Sequence, residues 1–247
     1  MNGHTAFRSG NPSLNKNTFK SFSITTENQM TLDGTVNKTG ISLLLLMFTA
    51  TYTWNSPSLG LMALGGIGGF IVGILTHFKR HLSAITVPIY AALEGLLLGG
   101  ITWIFEVSTG IEGLGIISAG ITFLILGVMI TIYRLGLIHW DKNMQIAVTS
   151  SMMAIMLIYL ISILGSFLGY NMPYIHGSGT IGIAFSVFVV GIASLCLVAD
   201  FDFIERGVLK GAPKQLEWRA AFGLLVTLAW LYLEILKLVS KIAASRN

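Results

Sequence analysis

An all-α, polytopic membrane protein with seven transmembrane helices is the fold that three observations in the 247-residue sequence predict. Hydrophobic residues make up 53% of the chain and charged residues only 11%, where a soluble domain carries about 25% charged residues to wet its surface. Mean hydropathy is +0.76, which is more apolar surface than a core of this size hides from water. The apolar residues also fall into separate runs, too long for barrel strands of about 10 residues and lacking their strict alternation. The same composition excludes disorder, collagen and a disulfide scaffold. The lone Cys196 lies in an apolar run and reads as a small buried hydrophobe. A net charge of +4 would hint at nucleic acid in a soluble protein. In a membrane protein the placement of charge matters more than its sum, and no nucleic-acid partner is expected.

Along the chain, residues 1 to about 38 are polar, with Arg8, Lys16, Lys20 and Lys38. No apolar stretch directly follows the N-terminus, so this is not a secretory signal; it reads as a flexible cytosolic tail. A transmembrane domain over 39–243 follows. A span needs about 20 mostly apolar residues, and the runs cover 40–54, 58–77, 83–105, 115–138, 144–169, 179–204 and 218–240. The first is the shortest, and Asn55 to Ser58, with Pro57, suit a tight turn after it. The second is rich in glycine, as are positions 95, 99 and 100 of the third; glycine lets membrane helices approach closely. Trp54, Trp103, Trp140 and Trp218 fall near run ends, as an aromatic belt does. The fifth run's Met144, Met152, Met153 and Met156 read as packing or lipid-facing residues.

Orientation follows from lysine and arginine in short loops. The tail, the link with Lys79 and Arg80, the link with Arg134 and Lys142, and the link with Arg206, Lys210, Lys214 and Arg219 are basic. The intervening links have no Lys or Arg. A cytosolic N-terminus follows, and the expected location is the plasma (bacterial inner) membrane. Lys237, Lys241 and Arg246 sit at the end that should be poor in positive charge; the earlier loops outvote them.

A carboxylate in mid-bilayer costs a few kcal/mol even on permissive scales, so acids inside the runs are candidate sites. Glu94 is about 16 Å along the third helix if that helix enters near Ser83, and Glu234 about 24 Å along the seventh if it enters near Trp218. Each has two readings, a carboxyl satisfied by a neighbour or a proton- or cation-binding group. For Glu234 the first means an ion pair with Lys237, three positions on. Asp200 and Asp202 lie roughly 9 and 6 Å below the cytosolic end. Asp202 also reads as an interfacial acid answering Arg206, whereas Asp200 is deeper and harder to explain away. His77 and His81 flank Lys79 and Arg80 in a basic cluster at headgroup level. No His/Cys set has metal-site spacing, and no nucleophile elbow, Walker A or H-E-x-x-H occurs. The chain does not read as an enzyme.

The stretches LVADFDFIERG and LAWLYLEILKLV, with the seven-span layout and a cytosolic N-terminus, resemble the Bax inhibitor (transmembrane Bax inhibitor motif) family. The first looks like the family's Asp followed four positions on by Ile, the second like its L-Y-L-D stretch. SGNPSL and PIYAALEGL resemble the bacterial YccA-like branch in particular. The resemblance covers about residues 40–243. It implies six helices around a central seventh, and a carboxylate pair on helices 6 and 7 that shares a proton and latches a calcium leak. Carried over, that pair is Asp200 (or Asp202) with Glu234, which would also ligate the transported Ca2+; no cofactor is implied. The implied function is a pH-regulated calcium leak channel. The alternative is a non-conducting regulator of a membrane-bound AAA protease, with the tail as contact. This chain departs from the pattern in three ways. Glu234 replaces the usual Asp, GVLKGAPKQLEW lengthens the link between the acids, and no Arg lies within the second run, leaving His77, Lys79 or Arg80 as nearest basic partners. The depths of Asp200 and Glu234 match only if helix 7 starts late, with 207–220 lying on the membrane surface. By depth alone Glu94 suits Glu234 better.

Overall fold

A computed structural model describes residues 28–169, 175 and 177–245. Among these residues seven helices follow one another: α1 (Leu32–Asn55), α2 (Leu59–Phe78), α3 (Ser83–Thr109), α4 (Leu114–Arg134), α5 (Lys142–Phe167), α6 (Thr180–Leu209) and α7 (Leu216–Ala244). A short 3-10 turn, Arg80–Leu82, joins α2 to α3. The protein is an all-α polytopic membrane protein. Helices α2 to α7 are each long and apolar enough to cross a bilayer. Helix α1 has 24 residues, or about 36 Å, but Asp33, Lys38 and its threonines dilute its hydropathy. Those hydroxyls are satisfied within the helix: Thr35, Thr39, Thr49, Thr51 and Thr53 each donate to a carbonyl one turn back, which makes them tolerable away from water.

The helical part begins earlier than expected. Thr31 caps α1, its hydroxyl accepting from Gly34 N at 3.0 Å, so residues 32–38 are helix and not tail. The rest of the predicted tail, 1–27, with Arg8, Lys16, Lys20 and SGNPSL, lies outside the described residues, as does Arg246. Residues 28–30 run back over the link between α6 and α7. Met30 N donates to Ala212 O at 2.7 Å and Lys214 N to Asn28 O at 2.9 Å, Gln29 bridges Pro213, and Met30 is buried in the core of α6 and α7.

Helix α7 is central. It packs on α1, α3, α4 and α6, its Phe222 meets Tyr90 of α3 edge-on, Arg219 donates to His77 O of α2 at 3.0 Å, and Glu234 meets Tyr159 of α5. Leu225, Leu231, Ile235 and Leu236 are fully buried, unlike the outward residues of α5, where Met153, Met156, Leu157 and Leu160 are more than half exposed in the protein alone and face lipid. The glycines of the third run do let a neighbour in: a methyl at Gly95 or Gly99 would fall on the α1 backbone at Leu46 or Ala50. Helix α3 is thus sandwiched between α1 and α2.

Candidate functional site

One face of α7 carries polar side chains at 227, 230, 234, 237 and 241. Alternating steps of three and four keep these on one side of a helix. From Thr227 to Lys241 the stripe spans about 21 Å, some two-thirds of the roughly 30 Å of a hydrocarbon core. Helices α5 and α6 face it. At the end nearer the α6–α7 link, Asp200 of α6 points at it: a methyl on Gly223 would sit 3.3 Å from Asp200 Oδ1, and the Thr227 hydroxyl hydrogen-bonds the carboxylate. Asp200 Oδ2 is buried and has no hydrogen-bond partner among the described residues.

Two turns further, Glu234 is saturated. Its side chain is 1% exposed. Oε1 takes Lys237 Nζ at 2.7 Å and Trp230 Nε1 at 3.2 Å, and Oε2 takes Tyr159 OH at 2.9 Å. Lys237 Nζ also lies 4.6 Å from the centre of the Tyr159 ring, a favourable place for a cation over a π face. At the far end Lys241 Nζ donates to Ile175 O at 2.7 Å, Gly182 O at 3.1 Å and Ser186 Oγ at 2.8 Å.

The predicted carboxylate pair is therefore not assembled. Asp200 meets α7 at Gly223 and Thr227, and Glu234 lies about 10 Å further along the same face. The late start that pairing required does not occur. Helix α6 continues to Leu209 and α7 begins at Leu216, so 207–220 is helix end, tight link and helix start instead of a surface segment. A two-carboxylate calcium site from Asp200 and Glu234 is likewise not formed, and no group of three or more His, Cys, Asp or Glu among the described residues is placed to hold a metal.

Glu94 does not join Glu234 either. Thr102, eight residues beyond Glu94, is what meets α7 near Glu234, bonding Tyr232 OH at 2.6 Å; Glu94 is about 12 Å back along α3. It turns to α2, where a methyl on Gly69 would lie 3.5 Å from its Oε2, and Tyr90 hydrogen-bonds it. Asp202 is held by Arg206, with Nε at 2.9 Å from Oδ1. His77 offers its carbonyl to Arg219 and packs its ring on Phe78; Lys79 is exposed at the end of α2, and the side chain of Arg80 lies outside the described residues. The basic partner of Glu234 comes from its own helix.

A buried acid that neither composition nor spacing singles out is Glu217, in the first turn of α7. It is fully buried and accepts from Thr31 N at 2.9 Å, Thr31 Oγ1 at 3.0 Å and Lys38 Nζ. Gly34 leaves the space, since a methyl there would fall on the carboxylate. An acid at the start of α1, where helix N–H groups are unpaired, is favourably placed. It ties the first helix and the arm over the α6–α7 link to the last helix.

The family model described as Bax inhibitor 1 like matches residues 11–244. The chain belongs to the Bax inhibitor family. No curated protein and no solved structure matches it. In this Bax inhibitor protein the stretches LVADFDFIERG and LAWLYLEILKLV contribute Asp200 and Glu234, the acids at the two levels of the α7 stripe.

Proposed function

We propose that this Bax inhibitor protein is a pH-regulated cation leak, with Ca2+ as the transported ion, and that the stripe on α7 is its path. The observation that carries this reading is the run of polar side chains along one helix face for about two-thirds of the thickness of a hydrocarbon core. Such groups are costly in lipid and mark ion or proton pathways. Asp200, with a buried oxygen lacking a partner, is where a proton or cation binds, since an unmatched carboxylate oxygen is expensive to bury. Glu234 is occupied by the Lys237 ammonium, a tethered cation in the place a passing one would take, so this conformation is closed. Protons regulate by neutralising Asp200: a neutral Asp200 no longer attracts a cation. The protein is then not an enzyme but a conductor, in the plasma (bacterial inner) membrane with the basic face cytosolic. Lys237 and Lys241 fit that orientation, because one is neutralised by Glu234 and the other spent on carbonyls, so neither counts as a free loop charge.

The test is calcium entry into dye-loaded vesicles holding the purified protein. Wild type should pass Ca2+ in a pH-dependent way, Asp200→Asn should lose the pH dependence, and Lys237→Gln should raise the flux at neutral pH. Wild-type vesicles as tight as empty ones would sink the proposal.

The second reading, a regulator of a membrane-bound AAA protease as in the YccA-like branch, gains support from residues 28–30, which lie on the basic face over the α6–α7 link. Removing residues 1–27 should then change protease inhibition and leave flux unaltered.

A further inference from the structure

On the side of α7 turned away from the polar stripe, α1, α3, α4 and α7 surround a cavity of about 430 Å³. That volume lies within the range of small-molecule pockets. Helices α1 and α4 each pack on α3 and α7 and form the two lips, where Met47 is 42% and Ile116 66% exposed. Between them the cavity opens sideways, toward the hydrocarbon of the bilayer. The hydroxyls along the wall are already matched: Thr102 with Leu98 O and Tyr232 OH, Thr122 with Ser118 O, Thr51 with Met47 O. The wall therefore asks for no polar ligand, and an apolar cavity of this kind does not hold water.

The length selects the occupant. On α1 the lining runs from Leu43 to Trp54, about 16 Å of helix, and one leaflet of a roughly 30 Å hydrocarbon core is about 15 Å deep. At the Trp54 end the lining stops at polar groups, where the indole donates to Glu106 Oε2 at 2.6 Å and Gly115 N to Glu106 Oε1 at 3.1 Å. We infer that this cavity is a binding site for one acyl chain of a membrane lipid, taken through the gap between α1 and α4 from the leaflet on the face opposite the α6–α7 link. The inference is independent of whether the α7 stripe conducts.

Photolabelling in vesicles with phosphatidylcholine bearing a diazirine on its acyl chain, followed by peptide mapping, tests it. In wild type the label should concentrate on 43–54 and 115–123. Gly120 lines the cavity and Gly127 does not; a methyl on either meets nothing within 4 Å, so both accept a larger side chain. Gly120→Leu, and independently Ala119→Leu, should cut the label in these segments about tenfold, a change of ~1.4 kcal/mol in occupancy, while Gly127→Leu keeps it. Thermal unfolding close to wild type certifies each variant. Wild-type label spread evenly over the lipid-facing helices, or unchanged in a folded cavity-filled variant, identifies ordinary boundary lipid and overturns the inference. A non-lipid molecule co-purifying in the cavity, seen by native mass spectrometry, overturns it as well.

Discussion

Asp200 and Glu234 lie against the same face of α7 two turns apart, yet they are opposites. Glu234 receives an ammonium, an indole N–H and a phenol O–H. Asp200 has Thr227 and a buried oxygen left over. The comparison separates two ways to keep an acid in a membrane. An acid with its own counter-ion is fixed in place, whereas an acid short of partners must draw a proton or a cation from outside. The first resists change and the second invites it.

Removing the counter-ion should have the largest effect. Lys237→Met leaves the Glu234 carboxylate buried without its counter-ion, and should cost about 3 kcal/mol or more in unfolding measured in detergent, because a buried charge that loses its partner is worse than no pair at all. Adding Glu234→Gln should recover most of that loss; no recovery would mean that Lys237 matters for packing and not for charge. Glu217 extends the comparison to a third buried acid. Glu217→Ala strands Lys38 and loosens the Thr31 cap of α1, with an expected cost of about 2 kcal/mol, and should speed proteolytic cleavage before residue 38. Asp200→Asn should move stability by less than about 1 kcal/mol, since it removes a charge that had no ionic partner among the described residues. A loss as large as that of Lys237→Met would show that Asp200 is as fully satisfied as Glu234. Arg206→Ala should change least, about 0.5 kcal/mol, because its pair with Asp202 is exposed on the arginine side.

The helices were legible because lipid imposes length and hydropathy together: all seven runs became helices. The start of α1 was not, since its cap is set by Thr31 and by Glu217, a residue 186 positions away. The acids in the membrane were legible one by one, because each stands out against apolar neighbours. Their pairing was not, because it depends on where α6 ends and α7 begins, and a link containing Pro213 and basic residues fits a tight turn as well as a surface segment. The stripe itself could have been read from the spacing of Thr227, Trp230, Glu234, Lys237 and Lys241. Acids alone do not outline it, since four of its five members are not acids. The Glu234–Lys237 pair was visible as three-residue spacing, and only coordinates decide between that pair and a distant carboxylate.

The cap on α1 has a consequence for biosynthesis. The carboxylate that completes the first helix belongs to the last one, so a growing chain inserts its least hydrophobic span before the group that stabilises its beginning has been translated. Settlement of that span must await emergence of the final helix, and a nascent chain truncated ahead of Glu217 should leave its opening helix frayed and open to quality-control proteases.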